Sequence, residues 1–204
     1  MKKSKIAIII ILAFVFAACA VLAVSGVSVD FERSVAEFIN PDKNKNAILR
    51  FFSGIGEAYG VIAVTAAAML IPATRRRVGA PLSVAVVASL LVNTGLKRLV
   101  GRARPTERLL EVGGYSFPSG HAVNNTALYI GIMLLGLKLC KTRAQKAVLI
   151  SVCLLMTFLI GYSRVYFNVH YLSDVVGGWC LGAIVAIIAS EIFEKKQVGK
   201  NEQR

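Results

Sequence analysis

Tyr162-Ser-Arg-Val-Tyr-Phe-Asn-Val-His-Tyr-Leu-Ser-Asp174 lies between two apolar runs, at about 147–162 and 175–193. It carries a guanidinium (Arg164), an imidazole (His170) and a carboxylate (Asp174) in surroundings that are otherwise greasy. Two further polar islands stand at the ends of apolar runs. One is Lys97-Arg-Leu-Val-Gly-Arg-Ala-Arg-Pro105; the other is Phe117-Pro-Ser-Gly-His121, which holds the chain's second and last histidine. Charge at the end of an apolar span is costly to keep and is functional by default. Three such islands predict one shared site.

The composition decides the surroundings. Of 204 residues, 56% are hydrophobic and 17% charged, and the mean hydropathy is +0.65. That exceeds the apolar share of an average soluble domain, and the length fits a single domain, 1–204. A formal net charge of +13 would suggest nucleic acid in a soluble protein. Here the bases sit in short linkers between apolar runs, with no basic amphipathic face or stacking aromatics beside them, so nucleic-acid binding is excluded. Cys19, Cys140, Cys153 and Cys180 lie in or beside apolar runs without paired spacing, and read as small buried hydrophobes.

The apolar runs predict an all-α bundle of six transmembrane helices at about 6–29, 55–73, 81–96, 121–140, 147–162 and 175–193. A short interfacial helix follows the first, with Phe31, Val35, Phe38 and Ile39 on its apolar side and Pro41 ending it. The first run also suits a secretory signal peptide, but it is long for one. Retaining it puts Lys2, Lys3, Lys5, Arg75–Arg77, Lys138, Lys141, Arg143, Lys146 and the tail bases Lys195, Lys196, Lys200 and Arg204 on one face. By the positive-inside rule that face is cytoplasmic, with both termini, and the three islands share the outer face of a multi-pass cell-membrane protein. Gly178 and Gly182, with Gly161, offer small surfaces for close helix packing.

The islands suit an anion. Lys97, Arg104 and Arg164 are cations, and the arginines can grip phosphate oxygens in a planar fork. Ser119 and Gly120 precede a helix whose first N–H groups favour an anion, and Gly120 admits close approach. His170 can attack phosphorus, with Asp174 four residues on holding the other ring N–H. His121 would protonate the leaving oxygen and then activate water, giving a bell-shaped rate profile between about pH 5 and 8, where histidine titrates. Plainer readings stand beside these. The histidines can be packing residues or, with Asp174, metal ligands, although three cations repel a divalent ion. Lys97, Arg98, Arg102 and Arg108 can snorkel to headgroups, and Asp174 with Ser173 can cap the last helix.

The pattern Lys97-x6-Arg104-Pro105, Pro118-Ser119-Gly120-His121, Ser163-Arg164-x5-His170-x3-Asp174 resembles the tripartite signature of the type 2 phosphatidic acid phosphatase superfamily. The resemblance implies metal- and cofactor-free dephosphorylation of a membrane lipid phosphate. It implies His170 as nucleophile, Asp174 as its partner and His121 as acid, with Lys97, Arg104, Ser119, Gly120 and Arg164 around the phosphate. By analogy within that family the expected substrate is undecaprenyl diphosphate, with phosphatidylglycerophosphate and phosphatidic acid as alternatives. A non-catalytic lipid-binding or transport protein would use the same cations. Nothing in residues 106–116 reads as headgroup selection.

Overall fold

The computed structural model describes residues 3–202, with side chains through residue 194. Lys2 and Arg204, and the side chains of Lys195, Lys196 and Lys200, lie outside the described residues. All regular structure described is helical: α1 Lys3–Ser25, α2 Val29–Ile39, α3 Ala47–Ile55, α4 Ala58–Leu70, α5 Pro72–Thr74, a π-turn Arg75–Gly79, α6 Ala80–Val100, α7 Gly120–Gly136, α8 Arg143–Tyr166 and α9 Leu172–Glu202.

Among the described residues four helical stretches are long and apolar enough to cross a bilayer: Lys3–Ser25, Pro72–Val100, Arg143–Tyr166 and Leu172–Glu194. The expected span 55–73 holds α4, and α3 precedes it across a 56° bend at Gly56-Glu57; α3 and α4 together make a fifth candidate. The break has a local cause. A Cβ on Gly60 would lie 2.0 Å from the Ile55 carbonyl oxygen, so only a glycine lets the first turn of α4 sit this close to the end of α3. The expected span 121–140 stops at Gly136, giving 17 residues and about 25 Å of helix at 1.5 Å per residue. The expected 81–96 run is extended at both ends into one 29-residue stretch, Pro72–Val100.

Helix ends follow local chemistry. Gly101 closes α6 in the left-handed region (φ 62°), where a side chain would be strained. Ser119 caps α7, and Thr142 with Gln145 forms a reciprocal capping box on α8. The tightest packing is α7 against α9. A Cβ on Gly178 would stand 2.6 Å from the Ala122 Cβ, and one on Gly182 would stand 2.4 Å from the Val123 carbonyl oxygen. Gly161 likewise makes room for the Trp179 ring. Helix α1 lies along α9, with Cys19 and Ala23 against Phe117 and Val176. Cys153 and Cys180 are buried as well, whereas Cys140 is half-exposed beyond the end of α7; all four thiols are free.

The apolar residues of α2 divide, with Ala36 and Ile39 packed against Ala122, Val165 and Val175. Phe31 and Phe38 are exposed, and the buried positions are Glu32 and Ala36.

Candidate active site

The turn between α8 and α9 is fixed from α8. The Arg164 carbonyl accepts from the N–H groups of Val169 (3.1 Å) and His170 (3.3 Å). His170 thereby points its ring inward at 2% exposure. Asp174, on the first turn of α9, is fully buried. Its Oδ2 accepts from the Tyr171 N–H at 3.0 Å and from the Ser116 hydroxyl, and lies 3.3 Å from His170 Nδ1. Asp174 therefore caps its helix and holds the imidazole with one oxygen. A carboxylate can only accept, so the proton sits on Nδ1 and the lone pair is on Nε2. Arg104 Nη1 stands 3.0 Å from that Nε2.

Burial drives the His170 pKa from its ordinary 6.5 down to about 3; Asp174 opposes the shift, and Arg104 and Arg164 add to it. The ring is neutral across the physiological range. Its protonation therefore falls well below pH 5, which moves the acid limb of the expected bell-shaped profile out of the pH 5–8 range.

The cations are held in place by backbone. Arg104 donates to the carbonyls of Val169 (2.8 Å), Gly113 (2.9 Å) and Gly114 (2.9 Å). Lys97 Nζ donates to those of Tyr115 (2.6 Å) and Ser116 (3.3 Å). Residues 113–116, which carry no polar motif in the sequence, thus orient both cations with main-chain oxygen. Arg164 is 1% exposed; it donates to the Ser53 hydroxyl, and its Nε has no partner in the described structure. Ser119 departs from expectation in part, since its N–H donates to the Asp174 carbonyl at 3.0 Å. The N–H groups of Gly120 and His121, in the first turn of α7, have no intrahelical acceptor.

His121, in the first turn of α7, feels the Arg164 charge, as His170 does. Its Nε2 is 3.3 Å from Glu57 Oε1, without hydrogen-bond geometry. Glu57 was invisible to motif reading, because it lies in the break between α3 and α4. Asn125 ties that break to α7, donating to the Gly56 carbonyl (2.8 Å) and to its own helix at His121 (3.0 Å).

Arg102 is the clearest correction. It does not snorkel but is 7% exposed. Nη1 donates to Asp174 Oδ1 (2.6 Å) and Ser173 Oγ (2.8 Å), and Nη2 donates to Glu32 Oε2 (2.7 Å). The guanidinium lies 4.1 Å from the Tyr171 ring centroid. Burial works against its charge, but Asp174 and Glu32 outweigh burial and raise its pKa. Arg108, by contrast, is exposed and bonded to the Val112 carbonyl. A cavity of about 200 Å³ lies beside this network, lined by Arg33, Lys43, Glu107, Tyr166 and Tyr171 among others, and holds neither histidine.

The PAP2 superfamily model matches residues 78–197, more than half of the chain and all three islands. The chain belongs to the PAP2 superfamily. This PAP2 chain is 34% identical over 107 residues to phosphatidylglycerophosphatase B of Bacillus subtilis, covering 52% of this chain and 53% of that protein. It is 28% identical over 165 residues to an undecaprenyl-diphosphatase of Sulfolobus acidocaldarius, covering 78% of this chain and 75% of that one. It therefore spans about half the length of the first relative and three quarters of the second. Among solved structures its fold is similar to that of a transmembrane PAP2-type phosphatidylglycerolphosphate phosphatase from Bacillus subtilis, with a TM-score of 0.81 at 22% identity, covering 92% of this chain and 96% of that one.

Proposed function

We propose that this PAP2 chain is a single-domain membrane lipid phosphatase, 1–204, that works without metal or cofactor through a phosphohistidine. The observation that carries the reading is the imidazole of His170: buried, neutral, held by Asp174 through Nδ1, with its Nε2 lone pair beside Arg104.

In the reaction, a phosphoryl group enters against Arg104, Lys97, Arg164 and the free N–H groups of Gly120 and His121 in the first turn of α7. The His170 Nε2 lone pair forms a bond to phosphorus as the bond to the leaving oxygen breaks. His121 donates its proton to that oxygen, and the Glu57 carboxylate beside it favours the imidazolium that does so. Neutral His121 then takes a proton from water, whose oxygen attacks phosphorus, breaks the P–N bond and releases inorganic phosphate. Fixed cations act where charge develops in both transition states.

The topology proposed is six spans, counting the bent α3–α4 pair and the short α7, with α2 at the interface. Both termini are then cytoplasmic and the site opens on the outer face. Ion pairs Lys5–Glu191 and Lys138–Glu194 support this, since they gather the basic ends at the pole of the bundle remote from His170.

The substrate we favour is undecaprenyl diphosphate, on the relative that matches the larger share of this chain; phosphatidylglycerophosphate is the second reading, from the relative of higher identity. The test is phosphate release from undecaprenyl diphosphate, phosphatidylglycerophosphate and phosphatidic acid by purified protein. Release from at least one, abolished in a folded His170→Ala variant, is expected. Turnover by that variant would refute the mechanism. Lipid movement that survives loss of both histidines would favour a transporter instead.

A further inference from the structure

Glu32 lies outside the stretch that matches the PAP2 family, on a helix without any catalytic motif, yet it is 3% exposed. Both oxygens of its carboxylate are hydrogen-bonded. Oε1 accepts from the Ser173 N–H (2.7 Å), and Oε2 accepts from the Ser28 hydroxyl (2.9 Å) and from Arg102 (2.7 Å). Arg102 uses its other arm on Asp174 Oδ1, the oxygen that His170 does not use. An unbroken line of hydrogen-bonded charge therefore runs from α2 through the loop after α6 to the carboxylate behind the imidazole.

We infer that Glu32 and Arg102 are positioning residues, a buried ion pair that locks the Asp174 carboxylate in the rotamer that holds His170. The inference rests on the proposed phosphatase reading for its kinetic consequences, but its geometry stands apart from it. The Asp174 side chain has two oxygens and one rotation that exchanges them. With Oδ1 gripped by a bidentate-capable guanidinium, itself stacked on Tyr171 and anchored by Glu32, that rotation is blocked. Oδ2 is left for His170, Ser116 and the Tyr171 N–H. The charged groups facing His170 and Asp174 are Lys97 of α6, Arg102 and Arg104 of the following loop, Arg164 of α8 and Glu32 of α2. The uncharged Cys19 thiol of α1 and the Tyr171 phenol are also near. Of these, only Arg102 reaches Oδ1.

Removing Arg102 alone would leave two buried carboxylates without their cation, whereas the double replacement leaves only Asp174, which keeps the Ser116 hydroxyl, the Tyr171 N–H and His170 Nδ1. The informative protein is therefore the full-length double variant Glu32→Met/Arg102→Met, with Arg102→Lys beside it. Asp174 and His170 remain present in both. Groups that orient a reacting side chain through one intermediate are worth roughly 10- to 100-fold. The double variant is expected to keep its fold in detergent, to lose kcat by about that factor and to hold KM within about threefold. With Asp174 stripped of its cation, His170 is protonated more readily, so rate is lost on acidification at a pH at least one unit higher than in the wild type. Wild-type kcat with an unmoved acid limb would overturn the inference, and so would a raised KM at unchanged kcat, which would make Arg102 a substrate ligand. The chain has two histidines, so imidazole resonances read the same point without turnover. If the wild type releases no phosphate from any lipid tried, the phosphatase reading fails alone. The pair is then judged by whether His170 titrates at higher pH in either variant; identical titration in both overturns it.

Discussion

Gly178→Ala puts a methyl group between the two helices that carry the proposed acid and the proposed nucleophile's partner. The added Cβ would stand 2.6 Å from the Ala122 Cβ, 3.1 Å from the Ser119 carbonyl oxygen and 3.3 Å from the Val123 nitrogen. Carbon atoms rest at about 3.5–4.0 Å, so the shortfall at Ala122 is about 1 Å. None of the three atoms can swing aside: one is a methyl on a helix and two are main chain. The helices must therefore separate. Alanine gains about 0.8–1 kcal/mol over glycine within a helix, and overpacking costs about 1–3 kcal/mol, so the net loss of stability is about 0–2 kcal/mol. Activity should suffer far more. His121 and Ser119 ride on α7 while Asp174 rides on α9, and a 1 Å misplacement of reacting groups costs roughly 100-fold. The matched control is Gly95→Ala, inside α6, where an added Cβ meets nothing within 4 Å; it should keep full turnover and unfold no earlier than the wild type. Thermal unfolding in detergent and phosphate release on the same preparations measure both. Turnover of Gly178→Ala within about twofold of the wild type would refute the argument that this contact sets the catalytic geometry.

Acidification should leave the phosphatase rate undiminished by His170 until pH nears 3, since burial lowers its pKa to about 3; a His170 imidazole resonance that titrates near pH 6.5 in the folded wild type would contradict this. Stability should behave differently. Between about pH 3 and 6.5 the unfolded chain binds a proton at this position that the native chain does not, so stability falls as pH drops through that window. The wild type should therefore lose more melting temperature from pH 6.5 to 4 than His170→Gln does, and equal losses would refute the buried neutral imidazole. Chelator at excess should leave phosphate release unchanged, because the proposed chemistry uses cationic side chains where a metal would otherwise serve; inactivation restored by a divalent ion would favour a metal-dependent hydrolase.

What was legible in the sequence, and what was not, follows from the solvent. Apolar runs announce helices meant for a bilayer, and three polar islands between them were enough to bring Arg104, His170 and Asp174 into view. Gly178 and Gly182 were legible for the same reason, as helices in lipid associate through small residues. Boundaries were less so. The 56° bend falls at Gly56-Glu57, where Gly54, Gly56, Glu57 and Gly60 interrupt the apolar run, a dip too short to separate two helices by hydropathy alone. Helix α2 is the subtler case. Its apolar stripe, Phe31, Val35, Phe38 and Ile39, reads as the side laid on the interface, and in the structure Phe31 and Phe38 are exposed while Val35 and Ile39 are half-buried. Glu32, Val35, Ala36 and Ile39 repeat at the same helical spacing, and Glu32 and Ala36 are the residues this helix buries. Where the exterior is hydrocarbon, a phenylalanine loses nothing by facing out, and a carboxylate does. The inward face is then chosen by whichever charge has partners to satisfy it. Glu32 finds Arg102, Ser173 and Ser28, and Arg102 is buried for the complementary reason. In such a chain the acid placed on a helical stripe of otherwise small apolar residues, rather than the greasiest stripe, marks the side that faces the chemistry.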